Sequence, residues 1–568
     1  MNQPPSSASR FRLLMGSLLV LSLSCPSAWG QGSSPRNATT PGEVTTPYPT
    51  LHQLAVEWEI DGDDNLNGVV TTQYRAVGET TWREAMPLSR VAAKKRYFEH
   101  EKVPHAWKNK HSGSLFHLEP DTQYEIKLTL NDPDGGTAEK VVTARTRPVP
   151  GPAPNALQRK VTPETIGTAK PGEILLLAAG NYGEFHAPRD GEPGKPIVYR
   201  SEKGDAVFKT ILLVNRKHVH LDGLTIKNED KHGKGVNLVG AVDCVVQHCK
   251  VNAMYAICAP VPPGATSCYI ADNIVEGTTP WTAESMGAHG DNIGEGIQLT
   301  GPGNVICYNR VTGYRDCIST MEGRIADQSC IDIYNNDIYT GADDGIEADF
   351  CHHNCRIMRN RMTNCFVALS SQPGLGGPNY FIRNVAYNIT HAAFKLKRDS
   401  VGDVVIHNTV IKLGTGLGGN SPMEHAYFRN NLCIGGPVGD NQWGGYGGGA
   451  PAAADIRSPG ERSSFDYDAV GVYKEPFWAK IDGKPFAEVE PHGIQIDMSV
   501  FNKVEFPYPP LPGRPAPDLR PRAASAVVDA GVRLPNINDD YLGDAPDIGA
   551  YEAGRDLPHY GPRLRGEN

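Results

Sequence analysis

Three short strings in the middle of the chain carry acidic and basic side chains that could act together on a substrate. The acids are Asp316, Asp343, Asp344, Glu347 and Asp349, and the basic residues that follow are Lys395, Lys397 and Arg398. Carboxylates held close together repel one another, and this raises their pKa values unless a cation lies among them. A solvent-open set of oxygen ligands suits Ca²⁺ better than Mg²⁺ or a transition metal. If the fold brings these strings together, they predict a calcium site beside a lysine. The alternative is a solenoid face that is charged only because it faces water.

The element that must position these strings is a repeat. Short units of an apolar residue, any residue and then asparagine recur along the chain, at Asn273, Asn309, Asn335, Asn360, Asn384, Asn408 and Asn430. A period in the low twenties, with two or three short strands in each repeat, is too short for propeller blades and lacks helical periodicity. The pattern predicts an all-β fold, a right-handed parallel β-helix with one repeat per coil. We expect the asparagines to form an inward ladder of hydrogen bonds at one turn.

Aligning the coils on their second strand predicts where the charged side chains lie. Residues 296–298, 317–319, 345–347, 366–368 and 393–395 then occupy comparable positions. Because side chains alternate between the two faces of a strand, Ile346 points inward while Glu347 and Asp349 point outward. Coils are about 4.8 Å apart, so Lys395 should lie two coils, about 9–10 Å, from Glu347. This alignment predicts one shared cleft.

The strings Arg-Asp-x-Ile, Asp-Asp-Gly-Ile-Glu and Phe-Lys-Leu resemble the active-site strings of polysaccharide lyase family nine, the β-helix pectate lyases. The resemblance covers about a hundred residues around the site and implies calcium ligands at Asp316, Asp343, Asp344 and Glu347, with Lys395 as the base. The chain departs from the family in two ways. Glu347 stands where the family has aspartate, and an additional coil separates Glu347 from Lys395.

The resemblance implies β-elimination on a uronic-acid polysaccharide. The cation would acidify the proton at C5 of the sugar, and a neutral lysine would remove it. We expect Lys397, Arg398 and the cation to lower the pKa of Lys395. Further predicted substrate ligands are Arg398, Arg359 and Arg383, although the last two could also be solvated charges on a distant face. Candidates for stacking on sugar rings, or simply for packing, are Trp281, Tyr314 and Tyr380.

Two other functions fit the same residues. A glycoside hydrolase on this scaffold would use Asp316, Asp344 or Glu347 as acid and base and would need no metal, with the lysines binding an anionic or sulfated sugar. A non-catalytic surface protein would bind glycan in a long groove without turnover. The enzymes predict reaction products, whereas the binding protein predicts none.

Composition divides the chain into five segments. Residues 1–31 have the layout of a secretory signal peptide, with a weaker possibility of a lipoprotein site at Cys25. Residues 32–50 are expected to be a linker. Residues 51–147 resemble a fibronectin type III β-sandwich, because Tyr124 follows a Leu-Glu-Pro-Asp-Thr-Gln string typical of its tyrosine corner. The β-helix is predicted over 154–436, and an irregular C-terminal extension over 437–568 is expected to cap the stack or run along it.

The remaining composition limits the partners. A net charge of −9 argues against nucleic acid, and no segment after the signal is apolar enough to span a membrane. The eleven cysteines after Cys25 fit no disulfide framework, so we expect mostly buried thiols, although Cys244–Cys268 and Cys351–Cys355 could pair. We therefore expect a secreted, periplasmic or extracellular monomer that acts on an anionic polysaccharide.

Overall fold

The computed structural model describes residues 36–96, 105–320, 328–419, 422–438 and 449–566. The predicted signal peptide and Cys25 lie outside these residues. The described chain is almost entirely β, and its one α-helix is the single turn Phe486–Val489. None of the helices in these described ranges has the length and apolarity needed to cross a bilayer.

An antiparallel β-sandwich comes first. Its strands are β1 (Thr39–Thr45), β2 (Leu54–Gly62), β3 (Val69–Ala76), β4 (Arg83–Val91), β5 (Lys94–Arg96), β6 (His105–Trp107), β7 (Lys110–Leu115), β8 (Gln123–Asn131) and β9 (Thr137–Arg145). Seven of them follow the order β1-β2-β7-β4-β3-β8-β9, and β5 pairs only with β6. The core between the layers includes Trp58, Leu128 and Leu130. Glu119 N donates to the Tyr124 hydroxyl at 2.9 Å, which is the tie expected of a tyrosine corner.

The predicted linker contains a strand. β1 falls inside 32–50 and pairs antiparallel with β2. The Ser-, Pro- and Thr-rich composition of this segment did not predict the strand. An edge strand needs only one hydrogen-bonded partner and little apolar sequence. The sandwich therefore begins before residue 51.

A parallel β-helix follows, which confirms the predicted fold class. Its first long sheet contains, in stacking order, Leu157–Val161, Glu173–Leu177, Ile197–Arg200, Val219–Asp222, Val245–Gln247, Tyr269–Ala271, Val305–Cys307, Asp332–Tyr334, Arg356–Met358, Asn379–Ile382, Asp403–Ile406, Tyr427–Arg429 and Ser464–Asp466. Its second long sheet contains Gly180–His186, Ala206–Leu212, Thr225–Asn228, Lys234–Asn237, Lys250–Ala253, Tyr255–Ala259, Ile274–Glu276, Glu295–Leu299, Arg310–Tyr314, Asp316–Ser319, Asp337–Glu347, Arg361–Ser371, Val385–Leu396, Thr409–Lys412, Leu432–Gly435, Ala469–Val472 and Ile494–Ile496. Parallel coils thus continue beyond residue 436, where the β-helix was predicted to end and the irregular extension to begin.

Short elements complete the described chain. They are the paired strands Ser400–Val401 and Met423–Glu424, the small sheet of Leu417–Gly419, Ala454–Ile456, Ala479–Ile481 and Lys484–Pro485, and the 3₁₀ turns Ile166–Thr168 and Met498–Val500. The interior of the stack is filled by apolar side chains that range in size from Ala and Cys to Leu, Ile and Phe. The eleven cysteines of the described residues are buried and form no disulfide, and eight of them belong to this interior cluster, so the predicted alternative pairings are not formed.

The asparagine ladder forms at one turn of the stack. Its buried members are Asn273, Asn309, Asn336, Asn360, Asn384, Asn408 and Asn431, and Asp468 ends it. Each Nδ2 donates to the next Oδ1 at 2.8–3.1 Å. Two predicted members, Asn335 and Asn430, were wrong by one residue. Each directly precedes a ladder asparagine and has a positive φ, 54° and 58°. In both cases two asparagines are adjacent, and spacing alone cannot choose between them.

The residue before each ladder asparagine contacts the rest of the chain. These residues have positive φ and include Asp272, Tyr308, Asn335, Arg359, Arg383, His407 and Asn430. Most of them bind the C-terminal segment, as when Arg563 pairs with Asp272 at 2.8 Å and Asn430 donates to Val532 O at 2.8 Å. The C-terminal segment therefore runs along the stack, as one of the two predicted arrangements requires.

The end of the ladder predicts a pH-dependent stability. Burial raises the pKa of Asp468 to about 7 and that of Glu490, whose carboxylate accepts from Asp468 N at 3.0 Å, to about 10. Carboxyl groups whose pKa values are raised by folding add to the free energy of unfolding. This contribution is complete at pH values below the pKa of the same groups in the unfolded chain, and the contribution of Asp468 is lost as pH rises through about 7.

Asp468→Asn extends the ladder without a titrating group. We expect it to reduce the loss of unfolding free energy between about pH 5 and about pH 8 by at least about 2 kcal/mol. Denaturant titrations check this, with exposed Glu488→Gln as the unchanged control; an equal pH dependence in Asp468→Asn contradicts it.

Candidate active site

The second long sheet brings the predicted strings into one register. Ser319 pairs with Glu347, Glu347 with Ser370, and Ser370 with Lys395. Glu347 and Lys395 are therefore two coils apart on the same face, as the spacing predicted. One aligned coil was wrong, because residues 368–370, and not 366–368, lie beside 345–347.

Two β-bulges, one in the coil before that one and one in the coil after it, each shift the register by one residue and shape the site. The register shifts between Gly341 and Asp344 in one coil and between Cys365 and Val367 against the next. A bulge adds one residue to a strand and redirects the side chains around it. The first bulge contains Asp343, and the second contains His391. Sequence spacing counts residues and cannot see these insertions.

Three aspartates form a compact group at the first bulge. Carboxylate oxygens of Asp316, Asp343 and Asp344 all lie within 4.8 Å of one another. Asp316 Oδ1 accepts a hydrogen bond from Asp344 N at 2.9 Å, which fixes one carboxylate against the next coil. Arg315 lies 3.5 Å from both Asp316 and Asp343 and covers the solvent side of the group.

Lys395 joins this group to Glu347. Its ammonium forms an ion pair with Asp344 and lies 3.9 Å from Glu347 Oε1. Both carboxylates and the lysine are largely buried, so solvent screens this contact weakly. The structure thus brings Asp316, Asp343, Asp344, Glu347 and Lys395 together.

Asp349 has a different place from the one predicted. Its Oδ1 accepts hydrogen bonds from Ser370 Oγ at 2.6 Å and Gln372 N at 2.8 Å. Its side chain is fully buried and does not belong to the three-aspartate group. The outward orientation assigned by strand alternation was wrong because the strand ends at Glu347 and the chain turns there. Asp349 holds that turn.

Burial and crowding raise the pKa values of Asp316, Asp343, Glu347 and Glu295. Burial is the largest cause in each case: it raises the pKa of Asp343 to about 6 and that of Glu295, one coil before Asp316, to about 7. Burial and the charge of Asp316 raise the pKa of Glu347, and burial and the charge of Glu295 raise that of Asp316. Such a group is stabilised either by protons or by a cation.

Lys395 is held in its charged form. Burial alone would lower its pKa, but the charges of Asp344, Asp349 and Glu347 outweigh burial and raise it. These carboxylate charges act against the predicted lowering by Lys397 and Arg398. Lys397 behaves differently, because burial and the charge of Lys395 lower its pKa.

The group formed by the acids and Lys395 opens into a cavity of about 250 Å³. Its polar lining includes Arg315, Asp343, Glu347, Lys395, Lys397 and Arg398, which brings two more predicted residues to the site. A second cavity of about 160 Å³ shares Lys395 and Lys397 and continues toward Thr415 and Asp455. Together the two cavities form a groove that runs across the coils, with basic residues at its centre.

Sequence reasoning missed the aromatic wall of this groove. Phe366 and His391 stack with ring centroids 4.8 Å apart, and both line the larger cavity. The second bulge, which brings His391 to this wall, carries no signal in the sequence. The three predicted aromatic residues pack elsewhere instead: the Trp281 indole donates to Pro510 O, Tyr314 is buried against Ala253 O, and the Tyr380 hydroxyl accepts from Ser114 N.

Arg359 and Arg383 are not brought to the groove. Both follow strands of the first long sheet, whereas the acids lie on the second. Arg359 contacts His117 of the sandwich at 2.7 Å, and Arg383 pairs with Asp540 of the C-terminal segment at 3.1 Å. They line a separate cavity at the junction of these three parts. Their assignment as ligands of a substrate in the acidic groove was wrong, and they anchor the sandwich and C-terminal segment to the stack.

The donors of the acidic group fit a hard divalent cation. All are carboxylate oxygens, the set that Ca²⁺ prefers. Asp344 Oδ1 is buried and has no hydrogen-bond partner among the described residues, although an isolated buried acceptor is costly. Asp316, Asp343 and Asp344 could therefore hold a cation, with Glu347 able to extend toward it.

Comparisons with known proteins give likenesses of structure alone. No family model and no curated sequence matches the chain. A crystal structure of pectate lyase Pel9A matches at 16% identity and TM-score 0.40, covering 70% of this chain and 96% of that one. An alginate lyase from Paenibacillus sp. str. FPU-7 matches at 16% identity and TM-score 0.28, covering 50% and 94%. A family 28 exopolygalacturonase of Yersinia enterocolitica matches at 12% identity and TM-score 0.22, covering 78% and 100%. We draw no functional conclusion from likenesses at this level.

Proposed function

We propose that the chain is a polysaccharide-degrading enzyme, a calcium-dependent lyase that cleaves a uronic-acid polymer by β-elimination. The observation that carries this proposal is the contact of Lys395 with both Asp344 and Glu347 at the edge of an open groove. A base and a carboxylate cation site on one face are the two parts that removal of a proton next to a sugar carboxylate requires.

The cation would be held by Asp316, Asp343 and Asp344, with Glu347 beside them. When bound, it would polarise the sugar carboxylate, acidify the proton at C5 and oppose the charge of the Lys395 ammonium. Burial and neighbouring charges raise the pKa values of Asp316, Asp343 and Glu347, so a bound cation would displace protons from the group.

The residues of the chain would perform the following chemistry. Lys395 must first release its proton to solvent and give up its contact with Asp344, after which Nζ can accept the C5 proton. The electron pair of the broken C5–H bond forms the C4–C5 double bond, and the C4–O bond breaks. The leaving oxygen takes up a proton from water and Lys395 returns the C5 proton to solvent, so the products are a new chain end and an unsaturated uronate. Lys397 has a lowered pKa and lies in the same groove, which suits a supporting role in this proton transfer.

The substrate class follows from the charge of the groove. Arg315, Lys397 and Arg398 line its open side, and guanidinium groups bind carboxylates in paired geometry. An anionic polymer would be attracted to this side, while the Phe366–His391 stack offers an aromatic surface for a sugar ring. We further propose that the protein is exported, that it meets its polymer outside the cytoplasm and that it acts as a monomer.

The carboxyl pKa values favour one alternative, a glycoside hydrolase. Burial raises the pKa of Glu347 well above that of an ordinary glutamate, and general acids of hydrolases have such raised values. Glu347 would protonate the leaving oxygen and Asp316 would activate water. This alternative needs no cation.

One assay separates the candidates. Uronic-acid and sulfated polysaccharides are incubated with the protein in the presence of calcium or of a chelator, and both ultraviolet absorbance and reducing ends are followed. The lyase produces absorbance of the new double bond only with calcium. A hydrolase produces reducing ends without that absorbance and with chelator present. Binding without either product would leave a non-catalytic glycan-binding protein.

A further inference from the structure

Two short strands of the N-terminal part, β5 (Lys94–Arg96) and β6 (His105–Trp107), form a ribbon that contacts the β-helix and is here called the arm. Strands β5 and β6 pair with each other, Lys94 opposite Trp107 and Arg96 opposite His105, and with no other strand of the described chain. A two-stranded ribbon is only marginally stable in water by itself. What fixes this one is therefore its contact with the surface on which it lies.

Strand β5 of the arm contacts the turn that carries the basic residues of the groove. Lys94 Nζ lies 2.8 Å from a carboxylate oxygen of Glu424, and the Arg96 guanidinium lies 3.5 Å from the other. Arg96 also donates to the backbone carbonyls of Arg398, at 3.3 Å, and Asp399. These carbonyls belong to the residues directly after Lys397, so one side chain of the sandwich touches the turn that lines the groove.

This turn has a backbone that needs support. Arg398 and Asp399 have φ of 57° and 53°, and two consecutive non-glycine residues in this region are unfavourable. On the inner side, Ser400 Oγ fixes the chain by accepting from Gly374 N at 2.7 Å. On the outer side, Arg96 is the residue of the sandwich that binds the exposed carbonyls.

The base of the arm packs closely against the β-helix. Trp107 packs so closely on Gly376 that a Cβ there would lie 2.8 Å from its ring, and its indole donates to Ala92 O at 3.0 Å. Behind it, buried Glu57 of the sandwich pairs with Lys110 and also accepts from Asn354 of the β-helix at 3.3 Å. The sandwich is thus fixed to the stack next to the arm and can hold the turn in one position.

We propose that Arg96 is a positioning residue of the groove: through it the β-sandwich holds the 397–399 turn so that Lys397 and Arg398 face the polymer. The sandwich is then a structural part of the substrate site and not a separately tethered binding module. The substrate side of this inference rests on the proposed function, whereas the ordering of the turn does not.

The test compares Arg96→Ala with Lys95→Ala in the full-length protein. Lys95 carries the same charge on the same strand but is exposed and points away, so it is a matched control. In Arg96→Ala we expect amide exchange of residues 398–401 to accelerate at least about tenfold, with exchange elsewhere in the stack unchanged. On the polymer cleaved in the panel, KM should rise at least about fivefold and kcat should stay within about twofold. Arg96→Lys, which retains the charge but only part of the hydrogen bonding, should recover part of both effects.

Each outcome has a separate meaning. If no polymer in the panel is cleaved, the proposed function fails, but the exchange measurement still decides whether Arg96 orders the turn. Unchanged exchange at 398–401 in Arg96→Ala overturns the inference. So does an equal rise of KM in Lys95→Ala, because that would indicate a general effect of surface charge. Accelerated exchange throughout the chain would also overturn it, by assigning Arg96 to overall stability.

Discussion

Replacing Lys395 by methionine should abolish turnover while the protein remains folded. Methionine keeps the length of the side chain but cannot accept a proton, and loss of a general base lowers kcat by about 10²- to 10⁴-fold. The measurement is kcat on the polymer cleaved in the panel, with thermal unfolding as a check of the fold. The substitution leaves Asp344 and Glu347 without their cationic partner, so unfolding should be measured with calcium present.

Lys397→Met is the matched control for this prediction. Lys397 lines the same groove but has no ion pair within 4 Å among the described residues. We expect Lys397→Met to raise KM and to reduce kcat far less than Lys395→Met does. The reverse result, an inactive Lys397→Met and an active Lys395→Met, would contradict the assignment of the base and transfer it to Lys397, whose pKa burial lowers.

Asp344→Asn should remove calcium binding. Asp344 carries the buried Oδ1 without a partner and lies between Asp316 and Lys395, so it is the centre of the acidic group. Loss of one charged ligand lowers the affinity of an oxygen site strongly, and we expect a decrease of about a hundredfold or more. Titration calorimetry of the folded protein with calcium measures this directly, and activity at saturating polymer should fall in parallel.

Asp349→Asn is the control for the cation site. Asp349 accepts from Ser370 and from the backbone of Gln372 and stands apart from the three-aspartate group. The structure therefore predicts lower stability and a nearly unchanged calcium affinity for Asp349→Asn. If Asp349→Asn loses calcium as completely as Asp344→Asn, then Asp349 is a ligand after all and the proposed site is placed incorrectly.

The fold could be predicted because the asparagine repeat reports a local and regular contact. Each asparagine bonds to its counterpart one coil away, so the spacing of the sequence is also the spacing of the structure. The prediction was wrong by one residue where two asparagines are adjacent, as at Asn335 and Asn336. It was wrong by two residues in the coil of Phe366, where 368–370 lie beside 345–347; the neighbouring bulges each shift the register by one residue, which spacing does not show.

The charged group of the site was predictable for the same reason, but its surroundings were not. Asp316 lies one coil before Asp344 and Glu347, Lys395 lies two coils after them, and the register of the coils places them. Arg359 and Arg383 occupy regular positions too, but their neighbours are His117 and Asp540, which are far away in sequence. Contacts between the sandwich, the stack and the C-terminal segment leave no periodic signal. The contact of Arg96 with the 398–399 carbonyls belongs to this class.

The most direct test of the central claim, that these acids and Lys395 perform β-elimination, is the source of oxygen in the products. The polymer is cleaved in water enriched in heavy oxygen, with calcium present, and the new chain ends are analysed by mass spectrometry. Elimination breaks the C4–O bond without adding water, so we predict unlabelled products that contain one unsaturated uronate per cleavage. Products that carry one heavy oxygen per cleavage and no double bond would contradict the account and assign the site to a hydrolase.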